Sequence, residues 1–347
     1  MSYEAFYEEQ GFPFKGSKLQ KLKDFLIKEQ LEYDEGIEFS VIVSDSKGNI
    51  VATGSLEGNV LKCIAVSDLH QGEGLSAKIV TVLTTQAING GYSHLFIFTK
   101  VENINIFNEL GYYLIAQTND VALMENKKNG ISEYVNSMKF SICDNSDNVG
   151  AIVMNCNPFT NGHLYLIETA ARMCSLLHLF VVSEDKSVFP AEVRYCLVKN
   201  GVNHLNNVFV HPTSDYLISS ATFPTYFIKD KYKAGNVNCI LDLTIFSEYF
   251  AKILNIEKRF VGTEPYDNVT ASYNVQMKEF LKKHGIEVVE IQRNALDGSP
   301  ISASRVRKLV AEGNYEVVKN LVPQVTYEYL ISDEGQKLVE KVRGKNE

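Results

Sequence analysis

The sequence predicts an α/β protein of two domains, the second of which is built on a doubly wound parallel sheet. At 347 residues, the chain is long enough for two domains of roughly 150 residues each. Residues 149–154 are nearly all apolar, as in strands buried inside parallel sheets, and a helix and another strand follow. The polar stretch 143–148 separates the two halves, so we predict domains at residues 1–145 and 146–347.

The first half alternates strands and helices. Runs rich in β-branched residues at 39–43 and 50–53 flank a turn at 45–49, which predicts a β-hairpin. The predicted elements are strands at 39–43, 50–53, 61–66, 95–98 and 112–116 and helices at about 75–88 and 101–110.

The second half continues from its first strand into a helix that begins at Gly162. Apolar residues recur there at three- and four-residue spacing, which predicts an amphipathic helix. These residues are Ile167, Ala170, Ala171, Cys174 and Leu177. Because a strand at 179–182 follows, the segment is a βαβ unit and favours a parallel sheet. Further strands are predicted at 208–211, 239–242, 258–261 and 287–291.

The composition argues against two classes of partner and one class of location. With 34 basic and 42 acidic residues the net charge is −8, so we expect no binding to nucleic acid or anionic membranes. The amino terminus lacks the pattern of a signal peptide, and no apolar run approaches the ~18 residues of a membrane span. The six cysteines form no Cys-x-x-Cys pair, which indicates reduced thiols and a cytoplasmic protein.

Residues 155–163 connect the first parallel strand to its helix. Open α/β sheets bind ligands at the carboxyl ends of strands, where free N–H groups of a helix amino terminus favour phosphate. Gly162 would let the backbone approach a phosphate closely, and His163 would point its imidazole into the same space. An ordinary loop with a structural histidine is the alternative.

Residues 301–307 form a second candidate site. Ser302 or Ser304 can cap a helix that runs to about Glu312 and stops at Gly313. Arg307 lies one turn after Ser304 on the same face, so hydroxyls, amides and a guanidinium together would bind an anion. The alternative is a capped helix with surface arginines.

Together the two motifs resemble those of a nucleotidyltransferase superfamily with an early (His/Thr)-x-Gly-His and a late Ile-Ser-x-(Ser/Thr)-x-x-(Arg/Lys) pattern. Here they are residues 160–163 and 301–307, with Thr160 where many members have a histidine, as in phosphopantetheine adenylyltransferases. Residues 186–189, with Arg194 beyond, resemble the superfamily's lysine loop, whose lysine meets the reacting phosphate. The resemblance implies a Rossmann-like domain that binds a nucleotide.

Aromatic and proline-containing segments narrow the resemblance to the citrate (pro-3S)-lyase ligases, over essentially the whole chain. These segments are residues 223–227, 260–266, 269–270 and 273–274. The resemblance implies an enzyme that activates acetate with ATP. It then acetylates the thiol of a CoA-like prosthetic group on the acyl carrier subunit of citrate lyase.

The first domain resembles GNAT acetyltransferases and would have their mixed sheet. In that family a Gln/Arg-x-x-Gly-x-Gly/Ala loop holds the pyrophosphate of coenzyme A. Residues 71–76 resemble it, with Gln71 and Gly74 at the family's positions, Gly72 between them, and Ser76 where the family has Gly or Ala. Residues 103–112 resemble the closing helix and Gly-aromatic turn of the same family. We expect this loop to bind the phosphates of the CoA-like arm.

The resemblance also implies residue roles. Acetate is ionised at neutral pH, so its attack on the α-phosphate needs positioning and charge stabilisation instead of a base. The catalytic assignments are His163, Lys186 and Thr160. The nucleotide-binding assignments are Asn157, Pro158, Phe159, Gly162, Arg194, Glu264, Ser302, Ser304 and Arg307. No protein ligand for a metal is predicted, and Mg²⁺ would be carried mainly by the phosphates.

Three alternative functions use the same residues. The first is a simple adenylyltransferase of the phosphopantetheine adenylyltransferase type, which would act on a phosphorylated acceptor. The second is an amine N-acetyltransferase with a degenerate nucleotide domain, which would consume acetyl-CoA and ignore ATP. The third is a nucleotide-sensing or scaffold protein without turnover.

Overall fold

The computed structural model of the protein describes residues 5–34, 36–139, 147–219, 231–263, 268–293, 295–296 and 299–343. The chain divides into two compact units. The first comprises Met1–Ile131 and Ser220–Thr244, and the second comprises Ser132–Ser219 and Ile245–Glu347. The boundary predicted at residues 145/146, the segment 223–227 and Glu264 lie outside the described residues.

The described elements in chain order are as follows. The strands are Tyr7–Gly11 (β1), Phe39–Ser44 (β2), Ile50–Glu57 (β3), Val60–Val66 (β4), Phe96–Lys100 (β5), Tyr113–Gln117 (β6), Val121–Glu125 (β7), Val149–Met154 (β8), Leu176–Val181 (β9), Val208–Pro212 (β10), Ile256–Gly262 (β11), Glu287–Ile291 (β12), Ala295–Leu296 (β13) and Ser299–Pro300 (β14). The helices are Gly16–Lys28 (α1), Leu75–Asn89 (α2), Ile104–Glu109 (α3), Gly130–Ser137 (α4), Asn161–Arg172 (α5), Ala191–Gly201 (α6), Lys231–Ile245 (α7), Lys252–Leu254 (α8), Asn268–Lys283 (α9), Ala303–Ala311 (α10), Tyr315–Leu321 (α11), Gln324–Ile331 (α12) and Asp333–Arg343 (α13). A π-helical turn, Phe246–Ala251, joins α7 to α8.

The first unit contains a seven-stranded mixed sheet in the order β1-β2-β3-β4-β5-β7-β6. Alternate residues of β2 pack into two different cores: Val41 and Val43 lie with residues of α2, whereas Ile42 lies with residues of α1. Because side chains alternate along a strand, the two helices cover opposite faces of the sheet. The predicted mixed-sheet fold is confirmed.

The parallel strands β4 and β5 pair over only two positions, Val60 with Phe96 and Leu61 with Ile97. The later residues of both strands line a cavity of about 560 Å³. The gap between the two strands therefore forms part of this cavity.

The second unit contains a five-stranded sheet in the order β10-β9-β8-β11-β12, and every pair is parallel. The chain builds outward from β8 to β10 and then returns to the other side of β8 with β11 and β12. This reversal creates a switch point beside β8, where open α/β sheets bind ligands at their carboxyl ends. The predicted doubly wound sheet is confirmed.

Two local predictions are wrong. Residues 239–242 form part of helix α7, because a short apolar run suits a buried helix as well as a buried strand. Helix α5 ends at Arg172, so Cys174 lies beyond it and Leu177 belongs to β9. The continued apolar spacing reflects the burial of both elements in one core.

Two general features complete the description. Within the described ranges, no helix combines the length and apolar character needed to cross a membrane. The five cysteines whose surroundings the structure describes are free thiols.

Candidate active site

The first motif is the turn between β8 and α5. Thr160 is the N-cap residue of α5, and its hydroxyl accepts a hydrogen bond from the backbone N–H of His163 at 3.4 Å. In return, the imidazole Nδ1 of His163 accepts a hydrogen bond from the backbone N–H of Thr160 at 3.1 Å. This reciprocal capping explains the spacing of the two residues and fixes the imidazole at the carboxyl edge of the sheet.

The same hydrogen bond determines the protonation of His163. Because Nδ1 accepts a hydrogen bond from the backbone N–H of Thr160, the neutral ring carries its own proton on Nε2. Burial, and secondly the charge of Arg293, lower the pKa of His163 from 6.5 to about 4. The ring is therefore neutral at pH 7. Its Nε2–H is a donor for which the described residues provide no acceptor.

The two predicted motifs lie side by side. A Cβ added at Gly162 would lie 2.8 Å from the backbone carbonyl oxygen of Ile301, so only glycine fits between them without displacement. Arg307 donates through Nη1 to the backbone carbonyl of Asn157. The structure therefore brings residues 157–163 and 301–307 to one edge of the sheet.

The second motif begins helix α10. Ser302 is its N-cap residue, and the hydroxyl accepts a hydrogen bond from the backbone N–H of Arg305 at 3.2 Å. Ser304 is exposed, and its hydroxyl accepts a hydrogen bond from Nη2 of Arg307 at 3.1 Å. A guanidinium and the amino-terminal turns of two helices thus lie together, which is an environment that favours an anion.

Lys186 is exposed on the loop between β9 and α6. Two asparagines of the first motif bind this loop: Asn155 Nδ2 donates to Ser187 Oγ at 3.1 Å, and Asn157 Oδ1 accepts from the backbone N–H of Phe189 at 3.0 Å. These bonds hold the loop that carries Lys186 alongside the first motif.

Arg194 has a different position from the one that the resemblance implied. It is fully buried, and its guanidinium donates hydrogen bonds of 2.6 to 3.0 Å to the loops after β8 and β9. The acceptors are the backbone carbonyls of Asn155, Val182, Glu184 and Phe189 and the side chain of Asn155. These contacts argue against direct binding of a nucleotide and indicate that Arg194 positions the loops.

Pro158 and Phe159 are also buried. The Phe159 ring is parallel to the His163 ring, with 6.2 Å between centroids. The Phe159 ring therefore lies alongside the imidazole.

Arg293 belongs to this edge but to no sequence motif. Its backbone N–H donates to Thr263 Oγ1 at 3.2 Å and its Nε donates to the Thr263 carbonyl at 2.7 Å. These bonds place it beyond the ends of β11 and β12. A basic residue two positions after a predicted strand was the available indication in the sequence.

The predicted loop 71–76 lines the cavity of the first unit. Gln71, Gly72 and Gly74 line it, with Gly74 as the N-cap residue of α2. Gln71 Nε2 donates to Asp68 Oδ1 at 2.9 Å, which anchors the start of the loop. The backbone angles φ of Gly72 and Gly74 are +82° and +76°, a left-handed conformation that favours glycine.

The described residues contain no cluster of three or more His, Cys, Asp or Glu side chains that could hold a metal ion.

The parallel sheet and its two contacting motifs define the second unit as an α/β domain of the nucleotidyltransferase class. The model of the citrate lyase ligase C-terminal domain matches residues 149–330. The citrate (pro-3S)-lyase ligase of Klebsiella pneumoniae is 42% identical over 328 residues, which cover 90% of this chain and 95% of that protein. The chain belongs to the citrate lyase ligase family.

Two further similarities each cover one part of the chain. The phosphopantetheine adenylyltransferase of Streptococcus gordonii is 27% identical over 133 residues, which are 37% of this chain and 80% of that protein. The solved structure of a putative acyl-CoA N-acyltransferase from Klebsiella pneumoniae covers 35% of this chain and 95% of that chain, at 15% identity and a TM-score of 0.29.

Proposed function

We propose that the protein is an AMP-forming acid–thiol ligase that activates citrate lyase. It would use ATP to activate acetate and would acetylate the CoA-like prosthetic thiol of the lyase's acyl carrier subunit. Membership of the citrate lyase ligase family supports this proposal. The observation that supports the chemistry is the contact between residues 157–163 and 301–307, which would together form one site for a triphosphate.

In the first step, a carboxylate oxygen of acetate attacks the α-phosphorus of ATP. The bond from the α-phosphorus to the bridging oxygen breaks, and pyrophosphate leaves with that electron pair. The products are acetyl-adenylate and pyrophosphate. The site must align the reactants and stabilise the negative charge that spreads over the phosphate oxygens.

His163, Lys186 and the amides near Gly162 would bind the α-phosphate. Because the His163 ring is neutral, Nε2–H would donate a hydrogen bond without losing its proton during the reaction. Thr160 would act by fixing the ring through the capping bonds. Ser302, Ser304 and Arg307 would hold the β- and γ-phosphates that leave.

Mg²⁺ would bind mainly to the phosphates of ATP, where it would neutralise charge. The protein's own contribution to the same charge would come from Lys186, Arg293 and Arg307. Glu264 remains a predicted nucleotide contact.

In the second step, the prosthetic thiolate attacks the acetyl carbonyl carbon, and AMP leaves with the former acid oxygen. A thiol has a pKa near 8.5, so modest activation suffices. The cavity of the first unit would bind the CoA-like arm, with its phosphates at Gln71, Gly72 and Gly74. This unit would then present the thiol and leave the chemistry to the second unit.

A simple adenylyltransferase is the second candidate, because phosphopantetheine adenylyltransferases match 37% of the chain. The two functions differ in their acceptor. Pyrophosphate release should depend on a small carboxylate for a ligase and on a phosphorylated acceptor for an adenylyltransferase.

ATP–pyrophosphate exchange with a panel of small carboxylates tests the proposal. We expect exchange with acetate, and we expect His163→Ala to reduce its rate by about 10²–10³-fold, as for loss of one preorganised donor. His204→Ala is the matched control, since His204 is exposed and pairs with Glu168 at 3.2 Å. Near-normal exchange by His163→Ala would overturn the catalytic assignment, and exchange without any carboxylate requirement would favour the adenylyltransferase.

A further inference from the structure

The second unit buries two arginines that differ in their number of hydrogen-bond acceptors. Arg194 is fully buried and has five hydrogen-bond acceptors. Arg259, on β11, is only 3% exposed, yet its Nε and Nη1 have no hydrogen-bond acceptor among the described residues. No carboxylate of the described residues lies within ion-pair distance of it. The guanidinium of Arg259 is therefore a buried charge without a counterion from the described chain.

Two aromatic residues, Phe246 and Tyr273, lie beside this charge. The Phe246 ring centroid lies 4.3 Å from the Arg259 Cζ, which is cation–π geometry. Tyr273 accepts a long hydrogen bond of 3.5 Å from Nη2 through its hydroxyl. Phe246 begins the π-helical turn, a local irregularity that is frequent at functional sites.

Such an arrangement compensates the charge only in part. A buried cation is costly unless it is paired and hydrogen-bonded, and an aromatic face offers no acceptor to the N–H groups. The N–H groups on two guanidinium nitrogens, Nε and Nη1, thus remain able to bind an oxyanion, which would satisfy both hydrogen bonding and charge.

Register places Arg259 close beneath the active-site edge. It pairs with Ala151 of β8 and Val288 of β12, and it lies three residues before Gly262, the last residue of β11. At about 3.3 Å per residue, this is a depth of roughly 10 Å below the edge. The next residue, Phe260, packs in the core that contains α5, so the Arg259 side chain lies on the other face of the sheet.

We infer that Arg259 is the anion-binding group of a buried subsite that takes a compact oxyanion. Two sources share this chemistry: the carboxylate of a small acid substrate and the phosphate of AMP or pyrophosphate. The identification of the acid as acetate rests on the proposed function, whereas the subsite itself rests on the burial and lack of acceptors of Arg259.

Thermal unfolding tests the subsite without requiring activity. The midpoint is measured for the wild type, Arg259→Met and Arg172→Met in sodium acetate, AMP and pyrophosphate, against sodium chloride of equal ionic strength. Arg172→Met is the control, because Arg172 is exposed and bonds only to Thr169 within α5. We expect one of the three anions to stabilise the wild type and the control, and Arg259→Met to weaken its apparent affinity about tenfold or more.

The comparison of the three anions identifies the ligand. Loss of the acetate shift alone assigns the subsite to the acid substrate, and loss of the AMP or pyrophosphate shift assigns it to phosphate. Arg259→Lys keeps the charge and is measured in parallel, so a poorly folded Arg259→Met does not end the test. Its affinity should lie between those of the wild type and of Arg259→Met.

Full retention of the shifts in Arg259→Met, or no shift for any probe in the wild type, overturns the inference. The exchange assay keeps the two claims apart. If exchange depends on acetate but anion binding does not depend on Arg259, the subsite is rejected and the ligase function is kept. If anion binding depends on Arg259 but there is no exchange, the ligase function is rejected and the subsite is kept.

Discussion

The molecule has two glycine-containing loops at helix amino termini, and the glycines are required for different reasons. In the first unit, a Cβ added at Gly72 or Gly74 would meet no atom within 4 Å, and both residues have positive φ. In the second unit, Gly162 has no positive φ, but its Cβ would lie 2.8 Å from the carbonyl oxygen of Ile301.

The first loop therefore needs glycine for its conformation and remains open to a ligand. The second needs glycine because two distant segments pack against each other there. In the second unit, burial lowers the pKa values of three histidines, His163, His178 and His211. The two units should therefore respond differently to acid and to substitution of their loop glycines.

Acidification should give the largest difference between the units. Burial lowers the pKa of His163 to about 4 and that of His211 to about 4, against 6.5 in the unfolded chain. Between these values the unfolded state binds more protons, so stability is lost as the pH falls from about 7 toward 4. One such histidine corresponds to a loss of about 2 kcal/mol at pH 5.

Hydrogen exchange of amides in β9 and β10, compared with those in β2 and β3, measures this effect. After correction for intrinsic rates, the second unit should lose protection over pH 7 to 5 while the first unit changes less. Equal losses in the two sheets would show that the buried histidines do not set the acid sensitivity.

Gly162→Ala should have the next largest effect. The new methyl group would have to displace the backbone at Ile301, which costs about 1–3 kcal/mol and moves the two motifs apart. We expect lower stability in denaturant unfolding together with a loss of about tenfold or more in ATP–pyrophosphate exchange. Gly262→Ala is the stability control, because its Cβ would approach only Arg293 Cγ, at 3.9 Å. If Gly162→Ala were as stable as this control, the packing explanation would be wrong.

Gly74→Val should have the smallest effect on stability and the most selective effect on function. A side chain in the left-handed conformation costs about 1–2 kcal/mol. The matched control is Gly48→Val, since Gly48 has φ +81° in the β2–β3 hairpin and equally open surroundings. Both variants should keep normal exchange, but only Gly74→Val should slow acetylation of the carrier. Equal loss of exchange and acetylation in Gly74→Val would contradict the division of labour between the units.

The sequence predicted most elements because their patterns are local. The apolar run of β8 has one main structural meaning, and the structure shows a strand at the predicted residues. The strand expected at 239–242 failed for the opposite reason, since a short apolar run fits either a strand or the buried helix that is observed. Among the elements that were not predicted are strands β1 and β7 and helices α1, α4, α11, α12 and α13, which carry no motif.

The site was predictable only where it carried a motif. His163, Ser302 and Arg307 stand in recognisable patterns, whereas Arg293 and Arg259 are single basic residues in or near strands. Arg194 stands in a recognisable pattern, but the pattern alone did not predict its environment. The resemblance to a lysine loop could not reveal that its guanidinium donates hydrogen bonds to backbone carbonyls.

By itself, the sequence determined the fold class, the two motifs and the family, because these depend on the order and spacing of residue types. The tertiary structure decided the neutral state of His163, the contact of Gly162 with Ile301 and the different burial of Arg194 and Arg259. The reason is physical: protonation, close packing and the pairing of a buried charge depend on groups that are distant in the chain and adjacent only after folding.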